Sequence, residues 1–199
     1  MSTAASPLRS EARVLVIAMG VAGCGKTTFG AALAQARGLP FFDGDEFHSP
    51  EARARMGAGI ALTDADRAPW LDRIGARLAD AAALPQGAVI ACSALRRVYR
   101  DRLRALAGPG LRFVFLDGDK ALIARRVAER RGHYMPVSLV DSQFAALEPP
   151  VGEADVVTIA ADANLAEAVP QALSALAAID ERQSKETAPM RPFKGSCGE

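Results

Sequence analysis

The residues best suited to chemistry lie in one short loop, residues 20–27, which reads GVAGCGKT and matches the pattern GxxxxGK[ST]. A run typical of a buried strand precedes this loop and a run typical of a helix follows it, which is the context that the pattern requires. Glycines in such a loop let backbone N–H groups converge on phosphate oxygens, Lys26 reaches the β- and γ-phosphates, and the Thr27 hydroxyl can bind Mg²⁺. We therefore predict a triphosphate site formed by Gly20, Val21, Ala22, Gly23, Cys24, Gly25, Lys26, Thr27 and Thr28.

The alternative interpretation of this loop is a glycine-rich turn that carries a lysine by chance. Lysine is rare in this chain, with 4 lysines among the 24 basic residues. Because the strand, the glycines, the lysine and the helix all agree, the phosphate-binding interpretation is favoured.

Two acidic turns follow apolar, strand-like segments. Asp43 and Asp45 follow a pair of phenylalanines, and Asp117 and Asp119 follow the run LRFVFL. Ligands of an open α/β sheet bind at the carboxyl ends of the strands, so either pair could hold metal-bound water or an acceptor hydroxyl. Asp119 is well placed to cap a helix that begins at Lys120. The first pair precedes a polar run with no helix immediately to cap, and we therefore predict that the first pair serves the reaction.

The absence of a guanine-recognition motif and the short chain length exclude several classes of nucleotide-binding protein. A guanine-nucleotide switch would carry an [NT]KxD motif, yet the single asparagine is Asn164 and no lysine lies in that pattern. A chain of 199 residues also leaves little room for the additional domains of motor or transport ATPases. These absences favour a small kinase that transfers the γ-phosphoryl group of ATP to a small acceptor.

Composition bounds the remaining possibilities. Apolar residues make up 50% and charged residues 24% of the chain, which is typical of a protein that packs a core. A formal charge of +1 gives no long-range field to attract nucleic acid or a membrane. The three cysteines are widely spaced and form neither a metal knuckle nor a disulfide framework. The sequence contains no evident leader or membrane-spanning run, so we expect a cytoplasmic protein.

Strand-like and helix-like segments alternate along the chain, which predicts an α/β fold with a five-stranded parallel sheet and helices on both faces. Strands are predicted at 13–19, 40–43, 87–92, 111–116 and 154–159, and helices at 26–37, 63–84, 97–107, 119–131, 137–147 and 164–179. We predict a single domain over residues 13–180, with a flexible N-terminus at 1–12 and a flexible tail at 181–199.

Beyond the phosphate loop, the chain resembles bacterial gluconokinases of the thermoresistant type, which are small P-loop sugar-acid kinases of the nucleoside-monophosphate-kinase-like group. The resemblance covers residues 14–170 and rests on MGVAGCGKT, on FFDGDEFH with the later LTDADRAPWL, on CSALRRVYRDRLR and on RRGHYMPVSLVDSQFAALEPP. It implies ATP-dependent phosphorylation of D-gluconate to 6-phospho-D-gluconate, a mobile lid and a homodimer.

The segment after His48 departs from the pattern HPxxNxxKM that is usual in these kinases. Ser49, Ala52 and Arg55 stand where Pro, Asn and Lys are usual, and Ala61 replaces a usual Pro. Because the missing asparagine could hydrogen-bond a polyol, the acceptor is open between gluconate, another aldonate, shikimate and a nucleoside monophosphate. A further alternative is a nucleotide-binding module without catalysis.

Phosphoryl transfer requires metal-binding groups, a group that orients the acceptor and cations around the γ-phosphoryl. We assign Mg²⁺ to Thr27 and, through water, to Asp43. We assign the acceptor hydroxyl to Asp45, because a carboxylate can both orient the alcohol and take its proton. Lys26 is the predicted catalytic cation of the loop.

The predicted helix at 119–131 carries two further predicted catalytic cations. Arg126 and Arg130 are four residues apart and therefore share one helical face. Together with the resemblance, this spacing predicts a mobile lid at about 126–140 whose arginines contact the ATP phosphates on closure.

The densest basic stretch follows the third predicted strand. It comprises Arg96, Arg97, Arg100, Arg102 and Arg104. By itself such a stretch indicates a nucleic-acid-binding helix, but the near-zero net charge argues against a nucleic-acid partner. The favoured interpretation places Ser93 and Arg96 in the acceptor pocket, where a guanidinium binds the substrate carboxylate, and leaves the other arginines at the surface.

Both histidines of the chain lie in segments that carry the resemblance. We predict that His48 lines the acceptor pocket and that His133 reaches it when the lid closes. Neither has partners at metal-ligand spacing. Arg67 is a predicted substrate-binding or ion-pairing residue, whereas Trp70 is interpreted as core packing.

Overall fold

The computed structural model describes residues 14–83, 86–129 and 137–186, in which five strands form one parallel sheet. The strands are β1 (Val14–Met19), β2 (Phe41–Asp43), β3 (Gly87–Ala91), β4 (Leu111–Asp117) and β5 (Val156–Ala160). Their order is β2-β3-β1-β4-β5, so β1 lies at the centre and is paired with β3 on one side and β4 on the other. The predicted α/β fold with a five-stranded parallel sheet is confirmed.

Helices pack against both faces of this sheet. They are α1 (Lys26–Arg37), α2 (Pro50–Gly57), α3 (Asp64–Ala83), α4 (Arg97–Ala107), α5 (Lys120–Glu129), α6 (Val137–Ala146) and α7 (Leu165–Glu186). Successive residues of a strand point to opposite faces. Val16 and Ala18 of β1 therefore join a core layer with α1 and α7, whereas Ile17 and Met19 join a layer with α3 and α4. None of the described helices is long and apolar enough to cross a bilayer.

Two short helices lie between β2 and α3, where the sequence predicts a polar connection. A four-residue 3₁₀ helix covers Gly44–Phe47, and α2 follows it. The Ser49 hydroxyl caps α2 by accepting a hydrogen bond from the Ala52 N–H at 3.2 Å. Because α2 buries none of its residues, it lacks the apolar periodicity by which a helix is predicted.

The C-terminal helix is longer than predicted. It continues to Glu186, so residues 181–186 are helical and do not belong to a tail. Arg112 of β4 is buried and donates hydrogen bonds to Asp180 and Gln183 of this helix. These contacts hold a polar stretch whose own sequence has no apolar period.

Several predicted features lie outside the described residues. They are the N-terminal segment 1–12, the tail beyond Glu186, Arg130 and His133. Of the predicted lid at 126–140, the structure describes the end of α5 and the start of α6.

Candidate active site

The phosphate loop joins the centre of the sheet to α1. Gly25, which precedes α1, has a φ of 100°, in the left-handed region that favours glycine. No described side chain caps the start of α1, so the first N–H groups of the helix are available to an anion. Gly20 is required for a different reason, because a Cβ there would lie 2.8 Å from the Leu116 carbonyl oxygen.

Two side chains of the loop are held by protein oxygens. Lys26 Nζ donates to the Val21 carbonyl oxygen at 2.9 Å, and Thr27 Oγ1 donates to Asp43 Oδ2 at 3.0 Å. The second contact brings together the hydroxyl and the carboxylate that the sequence predicts for Mg²⁺. Mg²⁺ prefers such oxygen ligands and in kinases is bound by one or two carboxylates together with substrate phosphates and water. The Thr27 and Asp43 oxygens therefore fit a nucleotide-bound Mg²⁺.

The acidic turn after β2 also has a structural role. Asp43 Oδ1 accepts a hydrogen bond from the Asp45 N–H at 3.1 Å and caps the 3₁₀ helix. The expectation that this turn has no helix to cap is therefore wrong, because a four-residue helix leaves no periodic pattern in the sequence. Gly44 between the two aspartates is buried, and a Cβ there would lie 2.2 Å from the Ala91 carbonyl oxygen at the end of β3. Only glycine permits this close approach of the turn to the sheet.

Asp45 has the electrostatic environment of a proton acceptor. The residue is exposed to solvent by its surface area, yet loss of water around the carboxylate raises its pKa above the ordinary value. The charge of Lys26 opposes this rise in pKa and the charge of Asp43 adds to it. A raised pKa makes the ionised carboxylate a stronger base.

A cavity of about 420 Å³ opens beside the phosphate loop, within the range of cofactor pockets. The loop forms one wall, and the end of β5 with the start of α7 forms the other. The Arg126 guanidinium lies in this cavity and donates to the Ala161 carbonyl oxygen at 2.8 Å. The predicted nucleotide-binding residues that share the cavity are Gly23, Cys24, Gly25, Thr28 and Arg126.

His48 lies buried beside the acidic turn, 6% exposed. Its ring stacks on Trp70, with ring centres 4.4 Å apart and planes inclined by 9°. Trp70 Nε1 donates to the Gly44 carbonyl oxygen at 2.7 Å, so one residue of α3 holds both the turn and the histidine. The predicted core position of Trp70 is confirmed. His48 Nδ1 is buried and has no hydrogen-bond partner among the described residues.

Burial and three arginines keep the His48 imidazole neutral. Loss of water has the largest effect, and the positive charges of Arg73, Arg67 and Arg53 add to it, which lowers the pKa of His48 to about 4. Arg73 is held in place by a hydrogen bond of 2.6 Å to the Phe47 carbonyl oxygen. A neutral imidazole donates with one nitrogen and accepts with the other, which suits a polyhydroxylated ligand.

We expect His48 to destabilise the folded protein as the pH falls from 6.5 to 4. The pKa of His48 is about 4 in the folded chain against the ordinary 6.5. The contribution of neutral His48 to the free energy of unfolding is therefore complete above pH 6.5 and is lost as the pH falls through 4. The loss amounts to about 3 kcal/mol. Urea unfolding of the wild type and of His48→Phe across this pH range measures it, since the other titrating groups are common to both. The wild type should lose about 3 kcal/mol relative to the variant on acidification, and a pH-independent difference would contradict the expectation.

Arg96 lies between two carboxylates. Its guanidinium donates to Asp64 of α3 and, at 3.4 Å, to Glu148 after α6. Tyr99 donates its hydroxyl to the same Asp64. A substrate carboxylate at Arg96 would have to displace a protein carboxylate, which the sequence-based assignment does not anticipate.

Ser93 and Arg67 adjoin the predicted acceptor side. Ser93 follows β3, and its carbonyl oxygen accepts from the Gly20 N–H at 3.3 Å, so it lies next to the phosphate loop. The Arg67 guanidinium lies 5.9 Å from the centre of the Tyr99 ring and acts electrostatically on His48. The Arg67 guanidinium donates to the Leu62 carbonyl oxygen at 2.6 Å, and its charge lowers the pKa of Asp64 without an ion pair between the two.

Arg100 is fully buried, which corrects its predicted place at the surface. It donates to Glu153 at 2.9 Å and to the Ala94 and Leu95 carbonyl oxygens at 3.0 Å, and these oxygens replace its water. Ala94 has a φ of 42°, which is uncommon for a residue with a side chain. Arg100 therefore holds a strained turn directly after Ser93.

The remaining arginines of the basic stretch also have acidic partners. Arg97 pairs with Asp101, Arg102 with Asp72, and Arg104 with Glu153 and Asp155. The stretch consequently presents little unmatched positive charge.

Two residues that contact the site were not predicted. Gln143 Oε1 of α6 accepts from the Ala22 N–H at 2.6 Å, and Glu148 accepts from the Arg97 N–H at 2.6 Å. These contacts join residues 121 and 51 positions apart, and no spacing rule relates such pairs. The available signal was that both residues lie in the last segment that carries the resemblance.

The fold and the site together define a P-loop kinase. The sheet is parallel with the order β2-β3-β1-β4-β5, a glycine-rich loop follows the central strand, and the Thr27–Asp43 pair lies beside the loop. A family model described as an AAA domain matches residues 15–150, and the chain belongs to that family.

Three similar proteins identify the family more closely. A gluconokinase from Sinorhizobium meliloti 1021, known from its crystal structure, is 44% identical with a TM-score of 0.80, over 88% of this chain and 98% of that one. A probable gluconokinase of Mus musculus is 39% identical over 83% of this chain and 99% of its own length. A thermosensitive gluconokinase of Escherichia coli (strain K12) is 39% identical over 84% of this chain and 89% of its own. The chain belongs to the gluconokinase family.

Proposed function

We propose that this chain transfers the γ-phosphoryl group of ATP to D-gluconate and releases ADP and 6-phospho-D-gluconate. The observation that carries the proposal is the 3.0 Å hydrogen bond from Thr27 to Asp43, which joins the phosphate loop to the turn that contains Asp45. The nucleotide side and the acceptor side of one reaction thus adjoin at the carboxyl edge of the sheet. Relatives named as gluconokinases or as a probable gluconokinase, at 39–44% identity, support gluconate as the acceptor.

On the nucleotide side, Lys26 leaves the Val21 carbonyl oxygen and binds the β- and γ-phosphates. Thr27 and, through water, Asp43 would hold Mg²⁺, which would supply positive charge to the phosphates. Arg126, from its place in the cavity, and Arg130 add charge around the γ-phosphoryl.

On the acceptor side, Asp45 orients the attacking hydroxyl. The hydroxyl oxygen forms a bond to the γ-phosphorus, the bond from that phosphorus to the bridging oxygen of ADP breaks, and the hydroxyl proton passes to the Asp45 carboxylate. Transfer is efficient when these groups are held in line, and this is the role of the two loops at the edge of the sheet.

The remaining polar groups bind the body of gluconate. His48, Ser93 and, on lid closure, His133 hydrogen-bond its hydroxyls. Arg67 binds the carboxylate, because it forms no ion pair within the described chain, whereas Arg96 is already paired. Arg96 then hydrogen-bonds the substrate from the edge of the acceptor pocket, and Asp64 and Glu148 set the orientation of its guanidinium.

Two of the departures from the usual acceptor segment have local structural roles. Ser49 caps α2, and Arg55 forms an ion pair of 2.8 Å with Asp66. These substitutions therefore do not require a different acceptor, and gluconate remains the proposed one.

A coupled ADP-release assay tests the proposal. The purified chain with ATP and Mg²⁺ should turn over D-gluconate with a kcat/KM at least about tenfold above that for other aldonates, shikimate and nucleoside monophosphates. Release of ADP without an acceptor is the control for wasteful hydrolysis. Preferred turnover of shikimate or a nucleoside monophosphate would contradict the acceptor, and ATP binding without turnover of any acceptor would contradict catalysis.

A further inference from the structure

One peptide unit of the phosphate loop, that between Val21 and Ala22, is held at both ends by side chains. Its carbonyl oxygen accepts from Lys26 Nζ at 2.9 Å and from the Cys24 N–H at 3.3 Å, and its N–H donates to Gln143 Oε1 at 2.6 Å. The C=O and N–H of a trans peptide point in opposite directions, so the two side chains approach this unit from opposite sides. Rotation of the peptide would break all three hydrogen bonds.

Gln143 is supplied by a helix that is itself firmly placed. Val140 of α6 is 1% exposed, and Phe144 packs against the core layer that contains Val21. An exposed ion pair of 2.8 Å between Lys120 and Asp141 also joins α6 to α5. The packing of Val140 and Phe144 therefore positions the helix that carries Gln143.

The orientation of the Gln143 amide follows from its partner. The Ala22 N–H can only donate, so the amide oxygen must face it and the Nε2 group must face away. Nε2 has no hydrogen-bond partner among the described residues. The Gln143 amide oxygen thus accepts from the loop, while its Nε2 group can still donate a hydrogen bond.

Nucleotide binding changes only one end of this arrangement. Lys26 has to leave the Val21 carbonyl oxygen to reach the phosphates, which removes one of the three hydrogen bonds that fix the peptide. The carbonyl oxygen then keeps only the longer contact of 3.3 Å from the Cys24 N–H. The 2.6 Å contact from Gln143 at the N–H end is therefore the shorter of the two that hold the peptide during this exchange.

We propose that Gln143 is a positioning residue of phosphoryl transfer, which fixes the Val21–Ala22 peptide while Lys26 exchanges between the Val21 carbonyl and the triphosphate. The inference rests on the proposed use of ATP at this loop. It does not depend on the identity of the acceptor, since the Gln143 contact lies on the nucleotide side.

Two substitutions separate this role from a structural one. Gln143→Leu removes the acceptor at similar size. It should weaken binding of a non-hydrolysable ATP analogue by about tenfold and lower kcat by a similar factor, with the KM for gluconate changed less than about twofold. Gln143→Glu keeps an oxygen for the Ala22 N–H but adds a negative charge near the phosphates. It should leave the Tm at or above that of the wild type while weakening the analogue by about tenfold or more.

The matched controls are Gln171→Leu and Gln171→Glu, because Gln171 is an exposed glutamine of α7. Both should bind the analogue like the wild type. The proposal is overturned if Gln143→Leu and Gln143→Glu bind the analogue like the wild type, or if analogue affinity, gluconate KM and Tm fall together in both. If Gln143→Leu does not fold, Gln143→Glu alone tests the proposal. An unchanged or higher Tm together with weaker analogue binding would then support it. Analogue binding is measured without acceptor, so lack of gluconate turnover would count against the proposed function and leave the Gln143 result intact.

Discussion

Replacing Asp45 with asparagine should lower kcat by about 10²-fold or more while the dissociation constant of a non-hydrolysable ATP analogue stays within about twofold of the wild type. Asparagine keeps the size of the side chain and can still hydrogen-bond the acceptor hydroxyl, but it cannot take the proton. Thr27 and Asp43 retain their hydrogen bond, so the phosphate loop is not disturbed. Steady-state kinetics with gluconate and titration with the analogue measure the two quantities.

The pH profile provides an independent readout of the same group. Loss of water raises the pKa of Asp45, so kcat/KM should decrease on acidification with a midpoint at a pH above the ordinary aspartate range. This decrease should be absent in Asp45→Asn. Glu46→Gln is the control, since Glu46 is an exposed residue of the same 3₁₀ helix. This variant should keep the wild-type rate and the wild-type decrease of kcat/KM on acidification. Turnover of Asp45→Asn within about threefold of the wild type would remove Asp45 from the role of base.

Replacing Glu153 with glutamine should destabilise the fold by about 3–5 kcal/mol. The Arg100 and Glu153 side chains are 1% and 5% exposed, so the substitution leaves a buried guanidinium without its counter-charge. Urea or thermal unfolding at neutral pH measures the effect.

The contribution of Glu153 also has a defined pH dependence. Although burial opposes it, hydrogen bonds and charge from Arg100 and Arg104 lower the pKa of Glu153 to about 2. The stabilisation is therefore present above pH 4.5 and is lost as the pH falls toward 2.

An exposed ion pair of the same kind is the control for Glu153. Asp72 makes two hydrogen bonds to Arg102, of 2.7 and 2.8 Å, but both side chains are close to half exposed. Asp72→Asn should cost less than about 1 kcal/mol because solvent screens the pair. Equal losses of unfolding free energy in Glu153→Gln and Asp72→Asn would show that burial of the Arg100–Glu153 pair does not govern what the pair contributes to stability.

Local patterns in the sequence were sufficient where the chemistry depends on neighbouring residues. The phosphate loop was predicted because its glycines, Lys26 and Thr27 are consecutive and lie between a strand and a helix. The capping role of Asp119 was also predictable, and Asp119 accepts from the Leu122 N–H at 2.7 Å. The parallel sheet followed from continuous apolar strands, which must be buried on both faces.

Contacts between distant segments were not predictable in this way. Sequence spacing could not distinguish Arg100, which is buried on Glu153, from the exposed Arg97 or Arg102 a few positions away. It also could not reveal that Arg96 is already paired, because its partners lie 32 and 52 positions along the chain.

The sequence by itself predicted a triphosphate site in a glycine-rich loop at the centre of a parallel α/β sheet, because that loop needs only adjacent residue types. The tertiary structure alone decided which arginines form ion pairs and that Gln143 hydrogen-bonds the loop. The physical reason is that desolvation and ion pairing depend on which distant segments pack together, and packing leaves no fixed spacing along the chain.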